Sequence, residues 1–133
     1  MAELPVDPIL KLYDAVGEDG IASVVRRFYE RVRQDDILSP MYPDNDWDGA
    51  ERRLKLFLIQ RFGGPSTYSQ ERGHPRLRMR HMPFPIDDAA AGRWLKLMRS
   101  AITKAADAGD VPADFATATM PFFKQVALFM VNR

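Results

Sequence analysis

The sequence predicts an all-α domain, and three observations carry that prediction. Apolar residues recur at three- and four-residue steps in four separate stretches. No stretch of five or more residues alternates cleanly between apolar and polar, and β-branched residues are sparse. A chain of 133 residues is the size of one domain, so residues 1–133 are read as a single unit with 1–11 as an N-terminal extension. Roughly five to seven helices are expected, some very short.

The elements follow in chain order. Ile21, Val24, Val25, Phe28, Tyr29 and Val32 form the apolar stripe of a first helix. Trp47, Ala50, Leu54, Phe57, Leu58 and Arg61 mark a second, with Asp46 placed to cap it. Gly63-Gly64-Pro65 should stop that helix. From Gly63 to Pro85 the periodicity fails, and an irregular stretch of that length inside a small domain is usually functional or mobile. Within it, Pro75 suits the first position of a short helix that Pro83 forces to end at His81 or Met82. Trp94, Met98, Ala101, Ile102 and Ala105 mark another helix, capped by Asp87 or Asp88. Phe115, Thr119, Phe122, Val126, Phe129 and Met130 mark the last, in which Pro121 predicts a kink or break.

Composition narrows the function classes. Apolar residues at 46% and charged residues at 28% are a globular balance. A net charge of +1 gives no global field for nucleic acid or anionic membrane, and neither is expected as a partner. The absence of cysteine excludes disulfides, thiolate metal sites, iron–sulfur clusters and cysteine nucleophiles. Met1 to Val16 carries two prolines and three acids, unlike a secretory signal, and Val126–Val131 is far too short to span a bilayer. A soluble, cytoplasmic protein is expected.

Both histidines, His74 and His81, fall in the irregular stretch. A lone histidine is most often a surface or satisfied core residue. His81, however, ends the short helix on the same face as Leu77, and His74 sits at its mouth, suited to capping or to solvent. A site with one protein ligand is compatible with haem iron, because the porphyrin supplies the other four donors. Zinc would need three or four ligands, and no histidine pair at ligand spacing exists. Tyr29 on an apolar stripe, Tyr42 in Ser39-Pro40-Met41-Tyr42-Pro43, and Trp94 each carry a donor that must find an acceptor. Singly they read as core; together they form a donor cluster for one ligand. Most of the arginines at 72, 76, 78 and 80 read as helix-solvating, while Arg53, Arg76 and Arg80 are placed to meet carboxylates at a pocket rim. No phosphate-binding glycine loop or serine nucleophile elbow is present.

Tyr13-Asp14-Ala15-Val16-Gly17, Arg27-Phe28-Tyr29, Tyr42-Pro43, Gly49-Ala50-Glu51, Gly63-Gly64-Pro65, the run from Arg72 to His81 and Trp94-Leu95 resemble, in order and spacing, the group II truncated haemoglobins. The match is close from Leu12 to Arg99 and loose through Met130-Val131-Asn132. The resemblance implies a two-over-two sandwich of globin helices around haem b. It implies His81 as proximal iron ligand, and Tyr29, Tyr42 and Trp94 as the distal hydrogen-bonding set beside Ala50 and Leu54. It implies Phe28, Phe57, Leu58, Leu77 and Met98 as apolar contacts of the porphyrin, with Tyr68, Arg53 and Arg80 toward its propionates. Arg61-Phe62, where the family often has Tyr-Trp, and Pro121 depart from the pattern. The implied ligands are O2, CO, NO or peroxide, with oxygen binding or transport as the first function. NO dioxygenase or peroxidase activity served by a reductase is the alternative, and a homodimer is a further expectation. From another class, the same stripes would serve a haem-free helical interaction module.

Overall fold

In a computed structural model, the described part of the chain is residues 8–133; residues 1–7 of the expected N-terminal extension lie outside it. Six α-helices span that part, with short 3₁₀ turns at Pro8–Lys11 and Ser39–Met41. They are α1 (Leu12–Val32), α2 (Trp47–Arg61), α3 (Thr67–Arg72), α4 (Leu77–His81), α5 (Asp88–Asp107) and α6 (Phe115–Met130). No strand occurs among the described residues. α1 packs on α2 and on α5, and α5 packs on α6. This gives two helix pairs laid over one another, the two-over-two arrangement.

The whole predicted stripe of α1, from Ile21 to Val32, is buried. α1 is bent at Gly17, whose φ of 68° and ψ of −179° suit glycine and disfavour every side chain. The bend separates a short lead-in turn from the long core stripe. That lead-in docks on the end of α2, where the Tyr13 N–H donates to the Phe62 carbonyl at 2.9 Å. Here Gly63 is required twice over: its φ is 97°, and a Cβ would lie 1.8 Å from the Leu10 carbonyl oxygen. Helix α2 therefore ends where the double glycine predicted.

Three sequence expectations are modified. Asp46 occupies the cap position of α2 but its side chain makes no capping bond; its carboxylate pairs with Arg53 at 2.7 Å. Asp87, by contrast, caps α5 through Ala90 N–H at 2.8 Å. Pro121 does not break α6, which runs on to Met130. The carbonyl that loses its donor belongs to Thr117, four residues earlier; both residues are exposed, so water can replace the missing bond. Pro75 is not the first residue of α4. The chain passes through Arg76 in the left-handed conformation (φ 45°, ψ 48°) before the helix begins at Leu77. Phe62, at the first departure from the family pattern, is fully buried against the rings of Phe115, Phe122 and Phe123.

One buried ion pair braces the corner between α1 and α2. The Asp35 carboxylate, 5% exposed, pairs with Arg93 of α5 and accepts from the N–H groups of Ile37 and Leu38 at 3.1 and 2.9 Å. Burial alone would raise its pKa, but the Leu38 N–H and Arg93 outweigh it and hold the carboxyl below its ordinary value. A carboxyl with a lowered folded-state pKa contributes stability above the unfolded value near pH 4, lost as pH falls through the folded value. Asp35→Ala should therefore lower unfolding free energy at neutral pH by about 2 kcal/mol, since two N–H groups and a half-solvated arginine lose their acceptor. Urea titration measures it, and the difference from the parent should shrink in acid.

Candidate functional site

The two helix pairs do not close fully between α2 and α6. A cavity of about 400 Å³ remains there, within the range of small-molecule and cofactor sites, and its walls are mostly apolar. Of the residues singled out from sequence, Tyr29, Tyr42, Ala50, Arg53, Leu54, Phe57, Leu58, Tyr68, Leu77, Arg80, His81 and Trp94 line it. Residues far apart in sequence thus meet around one space.

Phe28 and Met98, expected as apolar contacts of a porphyrin, do not line the cavity. Both are fully buried behind its wall. The Phe28 ring instead meets Tyr29 and Trp94 edge-on, each at 5.1 Å, and so fixes two cavity residues from behind. The physical reason is helical phase: Phe28 precedes Tyr29 by one residue, about 100° around α1, and cannot share its direction.

His81 enters from the end of α4. Its Nδ1 lies 2.6 Å from the Leu77 carbonyl. A carbonyl only accepts, so Nδ1 carries a proton, and Nε2 is the ring nitrogen left to meet a metal. This is the state a metal-ligating imidazole adopts, oriented by a backbone acceptor. His74 is different: it is exposed, and its Nδ1 accepts from Arg76 N–H at 3.1 Å, holding the left-handed turn before α4.

The other wall carries hydroxyl and indole donors. Tyr29 and Tyr42 meet edge to face at 5.7 Å, and Tyr42 stacks on Trp47 at 5.1 Å. Burial raises the pKa of both phenols, Tyr29 well above its ordinary value, with the neighbouring Tyr42 adding to the effect there. Both therefore remain protonated donors across the physiological range. Trp94 is held between Phe28 and, at 5.7 Å, Phe123.

The irregular stretch is ordered by polar brackets that periodicity cannot reveal. Gln60 clasps Ser69 with both ends of its amide, at 2.8 and 2.9 Å, and Arg52 forks onto Glu71 at 2.6 and 2.7 Å, fixing α3 against α2. Arg80 does not offer a free guanidinium to the rim. It donates to the carbonyls of Pro75 and Arg72 at 2.8 and 2.9 Å and so ties down the turn into α4. Arg72, read from sequence as a solvating residue, does line the cavity, with its guanidinium 6.0 Å from the centre of the Tyr68 ring.

Sequence reasoning also missed the contribution of α6. Phe122, Val126 and Met130 lie on the stripe predicted for that helix, but nothing in their spacing says that they face a cavity and not solid core. Phe84, whose ring lies 6.4 Å from that of His81, Ile86 and Ala90 also line the cavity and carry no periodic signal.

The residues present fit a haem. The walls are mostly apolar, one imidazole is held through Nδ1 with Nε2 left for a metal, and no cluster of three or more ligating side chains exists among the described residues to hold a metal by protein donors alone.

Comparison with known proteins agrees. The family model described as bacterial-like globin matches residues 11–129. Group 2 truncated hemoglobin YjbI of Bacillus subtilis is 41% identical over 99 residues, 74% of either chain. A thermostable hemoglobin from Thermobifida fusca superposes with a TM-score of 0.83 at 47% identity, covering 91% of this chain and 96% of its own. The group II truncated hemoglobin of Bacillus anthracis does so with a TM-score of 0.79 at 35% identity, covering 98% and 94%. Family match, fold and the assembled cavity converge, and the chain belongs to the bacterial-like globins as a group II truncated hemoglobin.

Proposed function

We propose that this globin holds haem b with His81 as the one axial protein ligand and binds O2 on the opposite face, with CO and NO as alternative ligands. The observation that carries the reading is one apolar cavity lined both by an imidazole whose Nδ1 is held by a backbone carbonyl and by three donor-bearing rings, Tyr29, Tyr42 and Trp94. A haem bound by a single imidazole supplies an open coordination position for a diatomic molecule.

The chain's own residues supply the rest. Leu77 fixes the tautomer and ring direction of His81 through its carbonyl. Ala50 has no donor and leaves room, and Leu54, Phe57 and Leu58 exclude water. Arg72 and the Tyr68 hydroxyl are the rim groups for propionates, with Arg53 shared between a propionate and Asp46, each partly solvated pair contributing about 0–1 kcal/mol. On the other side, each N–H or O–H aimed at the partly negative outer atom of O2 contributes about 1.5–3 kcal/mol. Two such bonds slow release by a few powers of ten, since about 1.4 kcal/mol is tenfold. Several donors therefore favour retention or chemistry over delivery. That is the ground for the second reading, a redox role as NO dioxygenase or peroxidase, which would call for a reductase partner.

Haem supplementation followed by absorption spectroscopy tests the reading. One equivalent of haem should give a Soret band, and the reduced protein should change spectrum with CO and O2. No Soret band at stoichiometric haem would return the chain to a haem-free helical interaction module. Rapid mixing of the oxygenated protein with NO, and of the ferric protein with peroxide, then separates carrier from enzyme.

A further inference from the structure

Helix α4 has five residues, no buried side chain and no side-chain cap, and a helix that short does not hold itself together. Its position must be imposed from outside. Arg80 secures its front, as described above. Its back is secured by the last residues of the chain.

Asn132 lies astride the segment that leaves α4. Its side-chain Nδ2–H donates to the His81 carbonyl at 3.1 Å, and its Oδ1 accepts from the Ile86 N–H at 3.1 Å. The Asn132 backbone N–H donates to the Ile86 carbonyl at 2.8 Å. The orientation of the amide follows from its partners, because a carbonyl only accepts and a backbone N–H only donates. The His81 carbonyl also takes the Phe84 N–H at 3.0 Å, so both of its lone pairs are engaged. A second tie runs beside this one: the Arg78 guanidinium donates to the carbonyls of Phe129 and Val131 at 2.8 and 3.1 Å. His81 is thus held at two points, its ring by Leu77 and its main chain by Asn132.

We infer that Asn132 is a positioning residue for His81, setting how the imidazole is presented to the cavity through the carbonyl of the same residue. The inference rests on the reading of His81 as the haem ligand. It assigns a function to the Met130-Val131-Asn132 segment, where the sequence resemblance is loose. Asparagine is specifically required because it donates to His81 and accepts from Ile86 at once. Aspartate would keep the acceptor and set a carboxylate oxygen against the His81 carbonyl.

Four variants test it: Asn132→Ala, Asn132→Asp, Arg78→Ala and His81→Ala. In the haem-loaded ferrous protein, both Asn132 variants should shift or broaden the iron–histidine stretching band in resonance Raman spectra. They should also speed haem transfer to apomyoglobin about tenfold, the lower end for loss of a group that orients a metal ligand. Arg78→Ala removes the neighbouring tie without touching His81 and should leave the band in place. In the haem-free protein, hydrogen exchange over residues 82–86 should accelerate in both Asn132 variants, a readout independent of the cofactor. An unchanged stretching band in Asn132→Ala, with only the melting temperature lowered, overturns the inference and makes Asn132 a structural tie alone. Failure of the underlying reading looks different: there, His81→Ala itself would leave the ferrous spectrum unaltered.

Discussion

Replacing His81 by alanine is expected to abolish stable haem retention, or at least the five-coordinate ferrous spectrum, while His74→Ala changes neither. The two histidines are seven positions apart and equally polar, yet their surroundings differ in kind. His81 lines the cavity with Nδ1 donating to Leu77, which leaves Nε2 as the nitrogen available to a metal. His74 is exposed, and its Nδ1 accepts from Arg76, a local bond that steadies a turn. Loss of a residue that merely orients a metal ligand costs about 10–100-fold in affinity, so loss of the ligand itself should exceed that. Haem transfer to apomyoglobin, followed at the Soret band, gives the rates. Equal rates for the two alanine variants would remove His81 from its assigned role.

The second large effect concerns the donor-bearing rings of the cavity. Trp94→Phe keeps an aromatic ring between Phe28 and Phe123 but deletes the N–H, and Tyr42→Phe deletes one hydroxyl while keeping the stack on Trp47. Each should raise the O2 dissociation rate by roughly tenfold or more if a well-formed hydrogen bond is lost. The double variant should differ from the product of the singles, because two donors near one acceptor compensate for each other. Tyr29→Phe should have a smaller effect, since its hydroxyl lies beside that of Tyr42 and acts through it. Stopped-flow displacement of O2 by CO decides between these outcomes. Unchanged rates in both Trp94→Phe and Tyr42→Phe would leave the pocket standing and remove this account of how it holds oxygen.

Much of the architecture was legible because apolar periodicity reports burial directly. The stripe from Ile21 to Val32 is buried throughout, and Gly63 stops α2 for a reason local to its own backbone. Asp87 caps α5 as its position before an apolar repeat suggested. The residues that line the cavity were legible for another reason. A polar-tipped ring on an apolar stripe, as at Tyr29 and Trp94, is a local anomaly visible without any fold, and the family pattern from Arg72 to His81 singles out one histidine.

What only the tertiary structure decided is how side chains distant in sequence share their partners. Periodicity gives the face of a helix but not whether that face meets solid core or a cavity, so Phe28 and Met98 looked the same as Leu54 and Phe57. Nor does residue type say which partner an arginine takes. Arg80 holds two backbone carbonyls, Arg53 takes the carboxylate of Asp46 from its capping duty, and Arg72, which residue type suggests is solvating, reaches the cavity. Asn132 was silent for the same reason: its amide has meaning only where α6 returns to meet α4. The sequence by itself determined the four long helices and the stop of α2, because those follow from local backbone chemistry and spacing, and the family resemblance pointed to His81 over His74. The tertiary structure decided the cavity wall and the two-point grip on His81, because both are made by contacts across dozens of residues that no local pattern encodes.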